Sequence, residues 1–174
     1  MQFITENDFR SAAGDDSYYD PSRWDLYAEV IRILKNIPCQ RILEIGPYKM
    51  PLVPNADTMD IRAELSPTIV HDAGEAPWPV ADKSYDAVVA LQVWEHLEGR
   101  QVEAFREVQR TARHAVLSFP YLWNNPSYPS HHNITDEIIE DWTDMQPPQD
   151  VILIATSPAC KRIIYHFDFQ KCSR

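Results

Sequence analysis

Three carboxylates in this 174-residue chain, Glu44, Asp60 and Asp72, fall at or near the ends of successive apolar runs. The first belongs to Arg41-Ile42-Leu43-Glu44-Ile45-Gly46, where Gly46 lets backbone approach a ligand that a Cβ would hold off. Asp60 lies sixteen residues further on, inside Thr58-Met59-Asp60-Ile61, and Asp72 follows Thr68-Ile69-Val70-His71. A carboxylate at such a position suits a sugar diol, because two neighbouring hydroxyls can donate to its two oxygens. Taken singly, Glu44 reads equally well as a surface turn residue, and Asp60 as a strand-end acid facing water. The ordered set points to a nucleotide-type cofactor held across one sheet edge.

Proton transfer is the second chemistry within reach. His96 follows Glu95 just past the fourth apolar run, and His131 and His132 sit in a loop rich in Pro, Ser, Asn and aromatics. An imidazole titrates near neutrality and can take a proton from an attacking hydroxyl. The structural alternatives stay open: Glu95 and His96 read equally well as the opening of a helix at its positive dipole end. His131 and His132 are then polar residues ahead of a helix cap at Thr135. A metal site of His131, His132 and Asp136 is disfavoured, since adjacent histidines seldom converge on one ion, and no metal is expected. Tyr121, Trp123 and Tyr128 share the loop with the two histidines and mark it as the acceptor pocket. Asp86, at the start of a buried strand, reads as structural.

The elements that must position these residues alternate. Apolar runs at 41–45, 58–61, 68–71, 84–91 and 115–119 read as strands. Helical spacing spans 21–36 and 95–113, and a short acidic helix runs from Thr135 to about Met145. Runs at 151–156 and 162–169, joined by Ser157 and Pro158, read as a terminal hairpin. Residues 1–20 are polar and read as a mobile segment or lid, with Tyr18 and Tyr19 poised over the cofactor. The alternation predicts βαβ units, a mostly parallel sheet and a single domain over 1–174.

A net charge of −10, with no basic run longer than two residues, argues against nucleic acid or an anionic membrane as the main partner. Cys39, Cys160 and Cys172 are odd in number and widely spaced, which predicts reduced thiols and a cytoplasmic setting. Fourteen prolines stand against four glycines, so turns are stiff and each glycine carries meaning.

The run RILEIGPYKMPLVPNADTMDI, followed by VHDAGEAPWPVADKSYDAVVALQVWEHL, resembles the class I S-adenosylmethionine-dependent methyltransferases of the small-molecule type. The resemblance covers roughly residues 24–145. It implies a Rossmann-like α/β fold, with a seven-stranded mostly parallel sheet, an antiparallel C-terminal strand and helices on both faces. It further implies S-adenosyl-L-methionine as cofactor. By position, Glu44 and Gly46 would lie near the methionine portion, Asp60 on the ribose and Ile61 beside the adenine. Asp72 and Ala73 would read the adenine amino group, and Leu91 and Gln92 would line the sulfonium side. His131, His132 or His96 would serve as base. The family's first motif usually carries two or three glycines, whereas only Gly46 remains here, flanked by Pro47 and Pro51. Prolines delete the N–H donors that a pyrophosphate needs, so the turn favours the methyl donor over a nicotinamide dinucleotide. The reading is methyl transfer to a small molecule. A non-catalytic binding domain is the alternative, and a nicotinamide-dependent oxidoreductase is less favoured.

Overall fold

Strand β1 (Ile42–Ile45) is buried along its whole length and lies inside the sheet, away from either edge. The computed structural model describes residues 1–14, 16, 19, 22–124, 126–157 and 160–170. Strands β2 (Asp57–Asp60), β3 (Ile69–Val70), β4 (Tyr85–Leu91) and β5 (Ala112–Tyr121) run parallel to β1. Strand β7 (Cys160–Asp168) pairs antiparallel with β5, and β6 (Asp150–Ser157) antiparallel with β7. The order is β3-β2-β1-β4-β5-β7-β6, a seven-stranded sheet in which only β7 opposes the rest. The seven-stranded Rossmann-like reading is borne out.

Side chains along a strand alternate between faces, so each strand feeds two cores. Ile42, Val89, Val116 and Ile164 meet helices α1 (Glu6–Ala13) and α2 (Arg23–Lys35) on one face, through Phe9, Leu26, Tyr27 and Val30. Leu43, Val88, Leu117 and Phe167 meet α3 (Gln101–Thr111) and α4 (Asp136–Trp142) on the other, through Phe105, Val108 and Ile139. No helix among the described residues is long and apolar enough to cross a membrane.

Two elements differ from the sequence expectation. The N-terminal segment forms α1, because Thr5 and Asp8 make a reciprocal capping box at its start. Phe9 is fully buried against Tyr19, Trp24 and Tyr27, so this part of the segment is anchored in the core. The helix expected from residue 95 starts at Gln101 instead. Glu98 and Gly99 take positive φ, 51° and 88°, which ends a short 3-10 turn at Trp94–His96 and redirects the chain. Tyr18, the Pro21 helix start, the Pro158 turn and Cys172 lie outside the described residues.

Candidate active site

Strands β1 and β4 lie side by side, and the chain leaves β1 toward β2 and β4 toward β5. This is the point where strand order reverses, and a crevice opens there beyond the carboxyl ends of the strands. A cavity of about 570 Å³ occupies it. Gly46, Asp60, Ile61, Asp72, Ala73 and Gln92 all line it, as does His96. Residues as much as fifty positions apart therefore share one pocket.

Local backbone explains how they converge. Gly46 has φ +61°, and a Cβ there would sit 2.9 Å from Val93 Cγ2. Its N–H donates to Met59 O at 2.8 Å, tying the first turn to β2. Gln92 also has positive φ, 59°, a conformation that costs a non-glycine residue of order 1–3 kcal/mol. Its N–H donates to Ser118 O, and its side-chain amide donates to Ser118 Oγ at 3.2 Å, so β5 holds the bend in place.

The acids have partners that the sequence did not reveal. Asp60, 6% exposed, accepts from the N–H and Nε of Arg62 at 2.9 Å and from its Nη2 at 2.8 Å. Burial alone would raise the Asp60 carboxyl; the bonds and charge of Arg62 outweigh this and hold it below the ordinary carboxylate range. Asp72 accepts from Gly74 N–H and Arg100 Nη1, both at 2.8 Å. Its burial is likewise outweighed by these donors, and its carboxyl is held low. Arg62 and Arg100 both line the cavity, so Asp60 and Asp72 are ionised and already braced there.

Glu44 and Leu91 lie elsewhere, around a narrow space next to Tyr27 and Met50. The Glu44 carboxylate accepts the N–H groups of Leu52 and Val53, each at 2.8 Å. It thus clamps the proline-rich β1–β2 connection. Burial pushes it up to about 7, against the pull of those two donors. Tyr19 braces the same connection, accepting Lys49 N–H at its hydroxyl, 3.0 Å away. None of the described residues among 1–20 lines the larger cavity.

Beyond the cavity, His96 meets His131 with their Nε2 atoms 3.2 Å apart. Burial lowers both imidazoles, and for His131 the neighbouring His96 and Arg23 add to the effect. Glu95 lies beneath them, its side chain fully buried, and burial pushes its carboxyl up to about 8. Tyr128 stacks with Trp123 and with His131, and Trp123 packs tilted against His131, at centroid distances of 5.4 to 6.0 Å. His132 does not line the cavity, and its Nε2 faces the Asn133 amide at 3.1 Å. Asp136 accepts the hydroxyls of Tyr121 and Tyr165 at 2.6 and 2.7 Å, away from the histidines. Asp86 accepts the N–H groups of Gln40 and Arg41, a structural arrangement.

Residues 50–116 match the family model described as a methyltransferase domain. The structure is similar to N-methyltransferase NodS from Bradyrhizobium japonicum WM9, with 14% identity, a TM-score of 0.66, and 88% of this chain and 98% of that chain covered. Against NodS in complex with S-adenosyl-L-homocysteine the values are 13%, 0.68, 88% and 89%. A SAM-dependent methyltransferase from Aquifex aeolicus gives 11%, 0.63, 94% and 99%. No curated protein matches this sequence. At these identities the structural likeness carries the fold.

Proposed function

We propose that this chain, a methyltransferase domain of the class I S-adenosylmethionine-dependent fold, moves a methyl group from that donor to a small-molecule acceptor. The enzyme class and the donor rest on the matched domain and the shared fold; the acceptor and the residue roles are our reading. The observation that supports it most is the gathering of Gly46, Asp60, Ile61, Asp72, Ala73 and Gln92 around one cavity. Asp60 takes the ribose hydroxyls, Asp72 and Ala73 the adenine edge beside Ile61, and Gly46 and Gln92 the methionine and sulfonium end. Glu44 and Leu91 support that end from behind, Glu44 through the turn it clamps.

Chemically, a lone pair of the acceptor attacks the sulfonium methyl in line with the carbon–sulfur bond. That bond breaks with its electrons going to sulfur, leaving S-adenosylhomocysteine. Alignment of donor and acceptor supplies most of the acceleration. An oxygen acceptor must also lose a proton. We assign this role to His96, which lines the cavity, or to His131 beside it, with His132 further round the loop. A cavity of about 570 Å³ lies within the ordinary range for small ligands and suits the donor. The net charge of −10 supports one that is not a nucleic acid. We read the chain as one domain, working in the cytoplasm with its thiols reduced. Cys39, half-buried, has its thiol pushed up to about 12 by burial, which suits an unreactive role.

Incubation with methyl-labelled donor and a metabolite extract tests the acceptor class. Label recovered in a low-molecular-mass product is the expected result. Label recovered only in protein or nucleic acid contradicts it.

A further inference from the structure

Glu95 stands out among the described residues because both of its carboxylate oxygens are buried without a hydrogen-bond partner. The positive charge of Arg23 acts on it without donating to either oxygen. Such a carboxylate is costly unless it is protonated, paired or bound to a cation. Its surroundings suit the third. Glu95 Oε1 lies 3.8 Å from His131 Nε2 and 4.0 Å from His96 Nε2, and the two nitrogens are 3.2 Å apart. A point equidistant from these three atoms lies about 2.1 Å from each, which is the length of a zinc–imidazole or zinc–carboxylate bond.

We propose that Glu95, His96 and His131 form a binding site for a divalent first-row cation such as zinc or manganese. The fold holds all three ligands in place. The 3-10 turn at Trp94–His96 presents two of them, and the break at Glu98 and Gly99 keeps that turn out of α3. Tyr128 stacks on the third and Trp123 packs tilted against it, which fixes its ring. Two imidazoles and one carboxylate leave coordination positions open, and His96 borders the donor cavity. The use of the site rests on the methyl-transfer reading above; cation binding does not.

In that use the acceptor is a hydroxyl compound that coordinates the cation through oxygen. Coordination makes the hydroxyl more acidic, so its proton leaves to water and the remaining lone pair attacks the methyl group. The two imidazoles then act as ligands and not as bases.

The test is calorimetric titration of the chelator-treated full chain with zinc chloride and, separately, manganese chloride, with thermal unfolding alongside. The expected result is one cation per chain and a raised Tm. Glu95→Gln and His131→Ala should each weaken uptake on the order of 100-fold and abolish the Tm response, while S-adenosylhomocysteine affinity is retained. Should either variant fail to fold, cobalt added to the wild-type chain gives a d–d absorption band of a nitrogen- and oxygen-ligated ion. Absence of stoichiometric uptake or of that band, or equal uptake by both folded variants, overturns the site. Cation uptake without S-adenosylhomocysteine binding keeps the site and removes the donor reading, and the opposite pattern does the reverse.

Discussion

Gly46 is the residue where backbone conformation and side-chain space are constrained together. Its positive φ and the 2.9 Å approach to Val93 Cγ2 both penalise a side chain. Gly46→Ala should lower stability by about 2 kcal/mol, from the left-handed backbone and the contact together. Val93→Ala in the same chain should relieve the contact and leave the backbone cost, which chemical denaturation of the four combinations separates. Glu44 gives a pH signature. Its carboxyl rises from the ordinary 4.5 to about 7 in the folded state. Between those values the folded chain holds the proton more tightly than the unfolded one. The stability contributed by this group is therefore full below about pH 4.5 and is lost as pH rises to 7, up to about 3 kcal/mol. Denaturant midpoints at pH 5 and 7.5 should differ less in Glu44→Gln than in wild type. At this scale the sequence disclosed the acids and the single glycine, because both interrupt apolar runs. It did not disclose Arg62 or Arg100, since an arginine beside a carboxylate in the fold leaves no periodic trace. Arg100 and Asp72 are 28 positions apart.

Helix α1 is the element that the sequence concealed. Its eight residues are mostly polar, so the polarity that suggested a loose segment outweighed the one aromatic that anchors it. The capping box at Thr5 and Asp8 was a readable signal for a helix start. Phe9→Ala should cost about 3–4 kcal/mol in global unfolding, the usual consequence of emptying a buried aromatic site. A cost near zero is the outcome for a segment that does not contribute to the core. The long strands were legible for the opposite reason: β4 and β5 are almost continuously apolar, as central parallel strands must be. The break before α3 was harder to read. Glu98 and Gly99 interrupt a charge pattern that otherwise continues with helical spacing, and only the glycine hints at the turn. That break separates Glu95 and His96 from α3 and turns them toward His131, 35 positions from His96.

For the whole molecule, the order β3-β2-β1-β4-β5-β7-β6 explains why distant residues form one site. The alternation of strands and helices disclosed the sheet. Five strands and a terminal hairpin were legible as apolar runs; their union in one seven-stranded sheet with a reversed terminal strand came from the resemblance, and both agree with the fold. The cluster of Glu95, His96 and His131 depends on a loop returning over the sheet edge, which local spacing cannot encode. The central claim concerns the cavity at the reversal point, and calorimetric titration with S-adenosylhomocysteine and with NAD tests it most directly. The folded wild-type chain should bind one S-adenosylhomocysteine and no NAD. Asp60→Ala should weaken that binding by about 2–4 kcal/mol, roughly 30- to 1,000-fold, through loss of charge-assisted hydrogen bonds. No binding of S-adenosylhomocysteine by the folded wild type, or an affinity unchanged in Asp60→Ala, would contradict the assignment.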